Sequence, residues 1–130
     1  MNSDDGLSKA ERELVIVATS AMNRCVYCVV AHGAVLRVRS REPELADHVG
    51  IDPHSCELEP RQRAIVDFGL KASQDPAGLS EEDFSTARRA GLSDEELWDI
   101  GSIAALFGAS RRLAHLFALQ PNPEFFSMGR

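Results

Sequence analysis

The chain has 130 residues, of which 44% are hydrophobic and 26% charged, values close to a globular domain and far from a disordered one. The formal net charge of −6 disfavours binding to phosphate backbones, so we expect no nucleic-acid partner. No apolar run reaches the roughly 18 residues that span a bilayer, and the N-terminus is too polar and acidic for a signal peptide. We therefore expect one cytoplasmic domain covering residues 1–130, with no membrane partner.

Helix start signals recur along the chain. Proline at a first helical position predicts two helices, at Pro43 and Pro60, and the break at Asn23 predicts another. Capping boxes, in which a serine and an acid three residues later each satisfy a free backbone N–H, predict three more: Ser8 with Glu11, Ser80 with Asp83, and Ser93 with Glu96. The predicted fold is all-α, a bundle of about six helices over 8–23, 24–40, 42–50, 60–73, 80–91 and 94–119.

The last predicted helix carries two further patterns. Trp98, Phe107 and Phe117 have helical spacing, which predicts that they lie in the core. Small residues on the same helix would let another helix approach closely, either in the core or at a subunit interface: Gly101, Ala104, Ala105, Gly108 and Ala109.

The second predicted helix concentrates reactive side chains. Cys25, Cys28 and His32 are spaced three and four apart, so they share one helix face, and His32 lies one turn from Cys28. The positive end of the helix dipole favours thiolate over thiol, and CxxC cysteines commonly have lowered pKa values. Such a thiolate can attack a peroxide and become a sulfenic acid, which the second cysteine converts to a disulfide. An external dithiol must then reduce the pair.

Other interpretations of the cysteine pair remain open from the residues alone. Zinc could bind the pair and His32, with His54 or Cys56 as a fourth ligand, although a CxxC within one helix is unusual for such sites. The cysteines could also be packing residues, or a thiol–disulfide redox or sensor pair without peroxidase activity. Cys56 lies in a polar, proline-flanked segment and is expected to be a bystander.

Glu13, twelve positions before Cys25, extends the pattern to E-x11-C-x2-C-x3-H. The segment ERELVIVATSAMNRCVYCVVAHGAVLR resembles the AhpD-like (alkylhydroperoxidase) branch of the carboxymuconolactone decarboxylase superfamily. The C-terminal RRLAHLFALQPNPEFFSMGR resembles the peroxidase-related subgroup of that branch. The resemblance implies a helical fold that assembles through helix packing into a homo-oligomer, a trimer or a hexamer.

The resemblance also implies roles for four residues. Cys28 corresponds to the peroxide-attacking cysteine, Cys25 to the resolving cysteine, His32 to the general base and Glu13 to the proton relay. No metal or other cofactor is implied, and a lipoyl- or thioredoxin-like dithiol is the expected reductant. A carboxylate beside the apolar run after Glu13 needs a partner, and a histidine on the adjoining helix would serve.

Two features depart from the family pattern. Tyr27 stands between the cysteines where AhpD has a second histidine, and a phenol is a poor proton carrier at neutral pH. Relatives also carry further helices before the segment that begins at Leu7.

The expected function is a thiol-dependent peroxidase. The alternatives are a redox or sensor protein without efficient turnover, or a non-catalytic helical oligomer. The lactone decarboxylase chemistry of the wider superfamily is disfavoured by the CxxC pair.

Overall fold

The computed structural model describes residues 6–130, and within them every regular element is helical, which confirms the predicted all-α class. Two short 3-10 helices, Pro76–Gly78 and Pro123–Phe126, accompany six α-helices. These are α1 (Lys9–Met22), α2 (Val26–Ser40), α3 (Pro43–Ile51), α4 (Pro60–Gln74), α5 (Glu81–Arg89) and α6 (Asp94–Leu116). No helix in the described part of the chain is long and apolar enough to cross a membrane.

The three predicted capping boxes are present at the N-termini of α1, α5 and α6. A fourth reciprocal contact was not predicted: Gln62 Oε1 accepts a hydrogen bond of 3.1 Å from the Glu59 N–H at the start of α4. Gly91 has a φ of 95°, a left-handed conformation that ends the α5 segment as expected for glycine.

Helix α1 forms the centre of the bundle, and it contacts α2, α3, α4 and α6. Its residues Leu14 to Ala18 are all buried, as a helix apolar on every side should be. Gly69 of α4 permits a close approach, because a Cβ built there would lie 3.2 Å from Val15 Cγ1 and 3.4 Å from Ile100 Cγ2. Helices α1, α4 and α6 therefore meet at this glycine.

Arg61 of α4 joins the N-terminal ends of α1 and α6. Its Nε donates to Glu11 Oε2 at 2.6 Å, and its Nη2 donates to Glu96 Oε2. Both acids also accept from backbone N–H groups in their capping boxes, at Ser8 and Ser93. One guanidinium thus ties two helix caps together.

The C-terminal segment packs on α2. The buried Arg37 donates from Nε to the Met128 carbonyl and from Nη2 to the Phe125 carbonyl, each at 2.7 Å. Arg130 pairs with Asp47 of α3 through two hydrogen bonds of 2.7 and 3.0 Å. These contacts hold the outer face of the helix that carries Cys28 and His32.

The expectations for the last helix were partly wrong. Trp98 is 77% exposed and Phe117 is 69% exposed, so of the three predicted core aromatics only Phe107 packs against the core. Helical spacing does not reveal which face of a helix is covered, and both residues point away from the bundle. The helix ends at Leu116 and not near 119, because Ala118 adopts a left-handed φ of 49°.

Candidate functional site

The turn between α1 and α2 positions the cysteine pair. Arg24 has a left-handed φ of 55°, and the next residue, Cys25, is the N-cap of α2 in an extended conformation. The Cys25 N–H donates to the Ser20 carbonyl at 3.1 Å, and Cys25 Sγ accepts from the Cys28 N–H at 3.4 Å. The predicted helix start at 24, with Asn23 as the cap, was therefore wrong: Asn23 instead caps the C-terminus of α1.

The two sulfur atoms lie 2.6 Å apart, and both cysteines are free thiols. Cys25 and Cys28 are 2% and 3% exposed, and Ala114 of α6 and the half-buried Tyr27 pack against them. A disulfide needs a sulfur separation of about 2.05 Å, so the pair can close with only a small movement. The local geometry is that of a dithiol ready to form an intramolecular disulfide.

The burial of Cys28 raises its pKa, whereas the sequence had led us to expect a lowered one. Desolvation, together with the hydrogen bond and the charge of Cys25, raises the pKa of Cys28 to about 12. The helix dipole alone had predicted a shift in the opposite direction. In this packed state the thiol is strongly favoured over the thiolate.

Ser20 is a neighbour of Cys28 that the sequence pattern did not single out. It is 2% exposed, and a hydrogen bond from its side chain to the Cys28 sulfur lowers the pKa of that cysteine, against the larger effect of burial. Its carbonyl also holds the Cys25 N–H. Ser20 lies five positions before Cys25, whereas residues on one helix face are three or four positions apart. The turn at Arg24 is therefore what brings Ser20 to the cysteine pair.

Glu13 and His32 form the second half of the site. Glu13 Oε2 lies 2.8 Å from His32 Nδ1, and the side chains are 11% and 27% exposed. The expected pairing of the buried acid with a histidine of the adjoining helix is therefore present. A carboxylate that accepts the Nδ1–H leaves Nε2 with its lone pair, the tautomer that can take up a proton.

Phe107 of α6 packs against the imidazole ring of His32. Its ring meets the His32 ring edge-on, with centroids 5.0 Å apart and an interplanar angle of 86°. No hydrogen bond joins His32 to Cys25 or Cys28 within residues 6–130. The fold thus builds two pairs: a dithiol at the start of α2, and an acid–histidine pair between α1 and α2.

The other candidate residues lie apart from these pairs. His54 is exposed in the turn after α3, and Cys56 packs against the main core with its thiol 3.9 Å from the Pro53 carbonyl. In the part of the chain that the structure describes, no group of three or more His, Cys, Asp or Glu side chains is arranged to hold a metal ion.

Comparisons with known proteins show which family and which solved structures the chain is similar to. The profile of the carboxymuconolactone decarboxylase family matches residues 1–50, the part that contains Glu13, both cysteines and His32. A search of the curated proteins found no significant match. Among solved structures, an uncharacterised peroxidase-related protein from Ralstonia eutropha JMP134, described as an alkylhydroperoxidase AhpD core, is 48% identical over 98% of this chain, with a TM-score of 0.94.

A second peroxidase-related protein, from Silicibacter sp. TM1040, is 36% identical over 99% of this chain, with a TM-score of 0.92. A protein of unknown function from Agrobacterium tumefaciens is 24% identical over 90% of this chain and 80% of its own length, with a TM-score of 0.74, and it shares the fold. The chain spans 67% and 66% of the length of the Ralstonia and Silicibacter proteins.

Proposed function

Because the chain belongs to the carboxymuconolactone decarboxylase superfamily, in its AhpD-like, peroxidase-related branch, we propose that it is a thiol-dependent peroxidase acting on hydroperoxides. The observation that carries the proposal is the Cys25–Cys28 dithiol together with the Glu13–His32 pair, with His32 four residues after Cys28 on α2. A buried dithiol supplies the electrons, and the acid–histidine pair can supply and accept the protons.

In the proposed reaction, His32 takes the proton of Cys28, and the Cys28 sulfur attacks the terminal peroxide oxygen. An S–O bond forms and the O–O bond breaks, and the leaving alkoxide takes the proton from His32 and departs as an alcohol. Cys28 is now a sulfenic acid. Cys25 attacks its sulfur, the S–S bond forms, and the hydroxyl leaves with the Cys25 proton as water.

Glu13 acts through His32 in this scheme. Its carboxylate accepts from Nδ1 and stabilises the imidazolium that forms while the proton is in transit. Ser20 is a donor to the Cys28 sulfur and would stabilise the thiolate at the moment of attack. An external dithiol, of lipoyl or thioredoxin type, completes the cycle by thiol–disulfide exchange, and the reaction requires no metal or other cofactor.

A second candidate function is a thiol–disulfide redox or sensor pair without efficient turnover. The raised pKa of Cys28, caused mainly by burial, favours this alternative, because a thiol attacks peroxide far more slowly than a thiolate. A non-catalytic helical oligomer would show neither turnover nor rapid oxidation of the pair.

The experiment that separates these functions is peroxide consumption with dihydrolipoamide as reductant, for the wild type and three single cysteine variants. Cys28→Ser should remove turnover, and Cys25→Ser should permit no sustained turnover. Cys56→Ser is the matched control, since Cys56 lies outside the pair, and it should retain wild-type rates. A Cys28→Ser variant with wild-type turnover would show that the assignment is wrong.

The partners are a small hydroperoxide, the dithiol reductant and further copies of the chain. An exposed apolar stripe along α6 and its C-cap residue Phe117 supports self-association into a trimer or hexamer. Leu106, Leu113 and Phe117 are 64%, 57% and 69% exposed, and their spacing of seven and four residues places them on one helix face. Solvent-exposed apolar residues in a continuous stripe are typical of a protein–protein contact.

A further inference from the structure

The side of α6 that faces α4 carries a cationic side chain that the proposed peroxidase chemistry does not use. Arg111 lies four residues after Phe107 and three before Ala114, both of which pack inward against the site. Its Nε is buried and has no hydrogen-bond partner, and no ion pair reaches it from residues 6–130. A buried nitrogen without a hydrogen-bond partner is costly, and an anion that accepts from it removes that cost.

Arg111 lines a cavity of about 380 Å³ between α6 and the C-terminal end of α4. Its lining includes the small residues Ala72, Gly101, Ala105 and Gly108, and no acidic side chain among residues 6–130 lines it. Arg112 lines the same cavity, with its Nη1 held by the Gly108 carbonyl at 2.6 Å. Two arginine side chains therefore line one concave surface, and no carboxylate from the described part of the chain lines it with them.

An apolar groove of about 420 Å³ continues from this cavity. The two share Ala72, Leu79, Gly101 and Ala105, and the groove extends to Phe84 and the exposed Trp98. Arg88 and Asp94 also line the groove, but they pair with each other at 2.8 Å, so their charges balance. The combined shape has a cationic end and a long apolar end.

We propose that this cavity and groove bind an amphipathic monocarboxylate, with the carboxylate on Arg111 and Arg112 and the alkyl chain along the groove towards Trp98. Guanidinium groups bind carboxylates through paired, charge-assisted hydrogen bonds. The volumes lie in the range of small-molecule sites. The ligand class goes beyond the proposed peroxidase function and does not depend on the cysteines.

Trp98 provides a direct readout, because it is the only tryptophan of the chain and lies in the groove. We would titrate the wild-type protein with decanoate and with 1-decanol, below micelle-forming concentrations, and follow tryptophan fluorescence. Decanoate should give a saturable change, and 1-decanol, which has the same chain without the charge, should bind at least about tenfold more weakly. Neither peroxide nor reductant is present, so the outcome is independent of peroxidase activity.

Arg111→Gln should weaken decanoate binding about tenfold or more, since a charge-assisted contact is lost. Arg89→Gln is the matched control, because Arg89 is an exposed arginine of α5 that pairs with Glu82, and it should bind as the wild type does. If Arg111→Gln does not fold by circular dichroism, Arg111→Lys tests the same point, because lysine keeps the charge but loses the planar fork, and it should bind more weakly than wild type. Equal binding of acid and alcohol, unchanged binding in the Arg111 variants, or no saturable fluorescence change would overturn the proposal.

Discussion

Glu13 of α1 and His32 of α2 are joined by a contact of 2.8 Å between Oε2 and Nδ1, across the interface of the two helices that carry the candidate site. The contact fixes which nitrogen of the imidazole is turned to the carboxylate and which remains available. The acid is nearly buried and the histidine only partly so, which suits a relay between a protected carboxylate and a reacting group.

Loss of the Glu13–His32 contact should slow peroxide reduction but leave the Cys25–Cys28 dithiol intact. We expect His32→Gln to reduce the rate of peroxide consumption about a hundredfold, because general base catalysis is lost. Glu13→Gln should reduce it about tenfold, since the amide cannot stabilise the imidazolium. Glu81→Gln, an exposed acid of α5, is the control and should leave the rate unchanged. Wild-type rates in both site variants would exclude the proton relay.

The reactivity of Cys28 towards iodoacetamide should depend on pH in a distinctive way. Burial and the neighbouring Cys25 raise the pKa of Cys28 to about 12, so the thiolate fraction at pH 8 is very small and grows about tenfold per pH unit above it. Peptide mass spectrometry of the reduced, folded protein should therefore show Cys28 alkylation still increasing at pH 10. The same protein unfolded in urea should level off near pH 9.

Two further results check the cause of that shift. Cys25→Ser should make Cys28 react faster at pH 8, since both the hydrogen bond and the charge of Cys25 raise the pKa of Cys28. The folded state also holds the Cys28 proton to higher pH than the unfolded chain, so the free energy of unfolding should be highest below about pH 9 and fall as pH rises towards 12. A Cys28 alkylation rate that levels off near pH 8 would contradict this account.

Arg61→Met should destabilise the fold, because Glu11 and Glu96 would lose the guanidinium that both of them bind. Hydrogen bonds to charged groups contribute about 1.5–3 kcal/mol, and the partial exposure of Arg61 reduces this, so we expect a loss of about 2 kcal/mol in urea unfolding. Arg89→Met breaks an ion pair whose side chains are 67% and 77% exposed, and it should cost less than about 0.5 kcal/mol. Equal losses in the two variants would show that Arg61 does not tie the helix caps together.

The exposed stripe on α6 predicts the assembly behaviour of the chain. Light scattering should give the mass of a trimer or hexamer at micromolar concentration, and Leu113→Lys should shift the mass towards the monomer, because it places a charge in the middle of the stripe. Ile51→Lys is the control, as Ile51 is 85% exposed at the end of α3 and away from the stripe. A monomeric wild type, or a Leu113→Lys variant whose assembly has the same mass as that of the wild type, would show that this stripe is not the interface.

Local signals explain why so much of the fold was predictable. Capping boxes act over four residues and prolines fix their own backbone, so the starts of α3 to α6 could be read directly from the sequence. The Glu13–His32 contact was expected from the family resemblance that the E-x11-C-x2-C-x3-H pattern carries, and from the need of a carboxylate beside an apolar run for a partner.

The features that the sequence did not predict depend on tertiary packing. The left-handed Arg24 moved Cys25 from the helix to its cap, and such a conformation at a non-glycine residue has no sequence signal. The burial of Cys28 depends on Ala114, 86 positions away along the chain, so the rise in its pKa could not be read from α2 alone. The exposure of Trp98 and the proximity of Ser20 to Cys28 likewise depend on how the helices pack.

In the proposed cycle, Cys28 attacks the peroxide and Cys25 resolves the sulfenic acid that forms. The most direct measurement is to treat the reduced wild type, Cys25→Ser and Cys28→Ser with one equivalent of cumene hydroperoxide and then with dimedone, and to map the products by mass spectrometry. We expect a Cys25–Cys28 disulfide in the wild type, a dimedone adduct on Cys28 in Cys25→Ser, and no adduct on Cys25 in Cys28→Ser. An unmodified Cys28 in Cys25→Ser, or an adduct on Cys25 in Cys28→Ser, would contradict the proposed cycle.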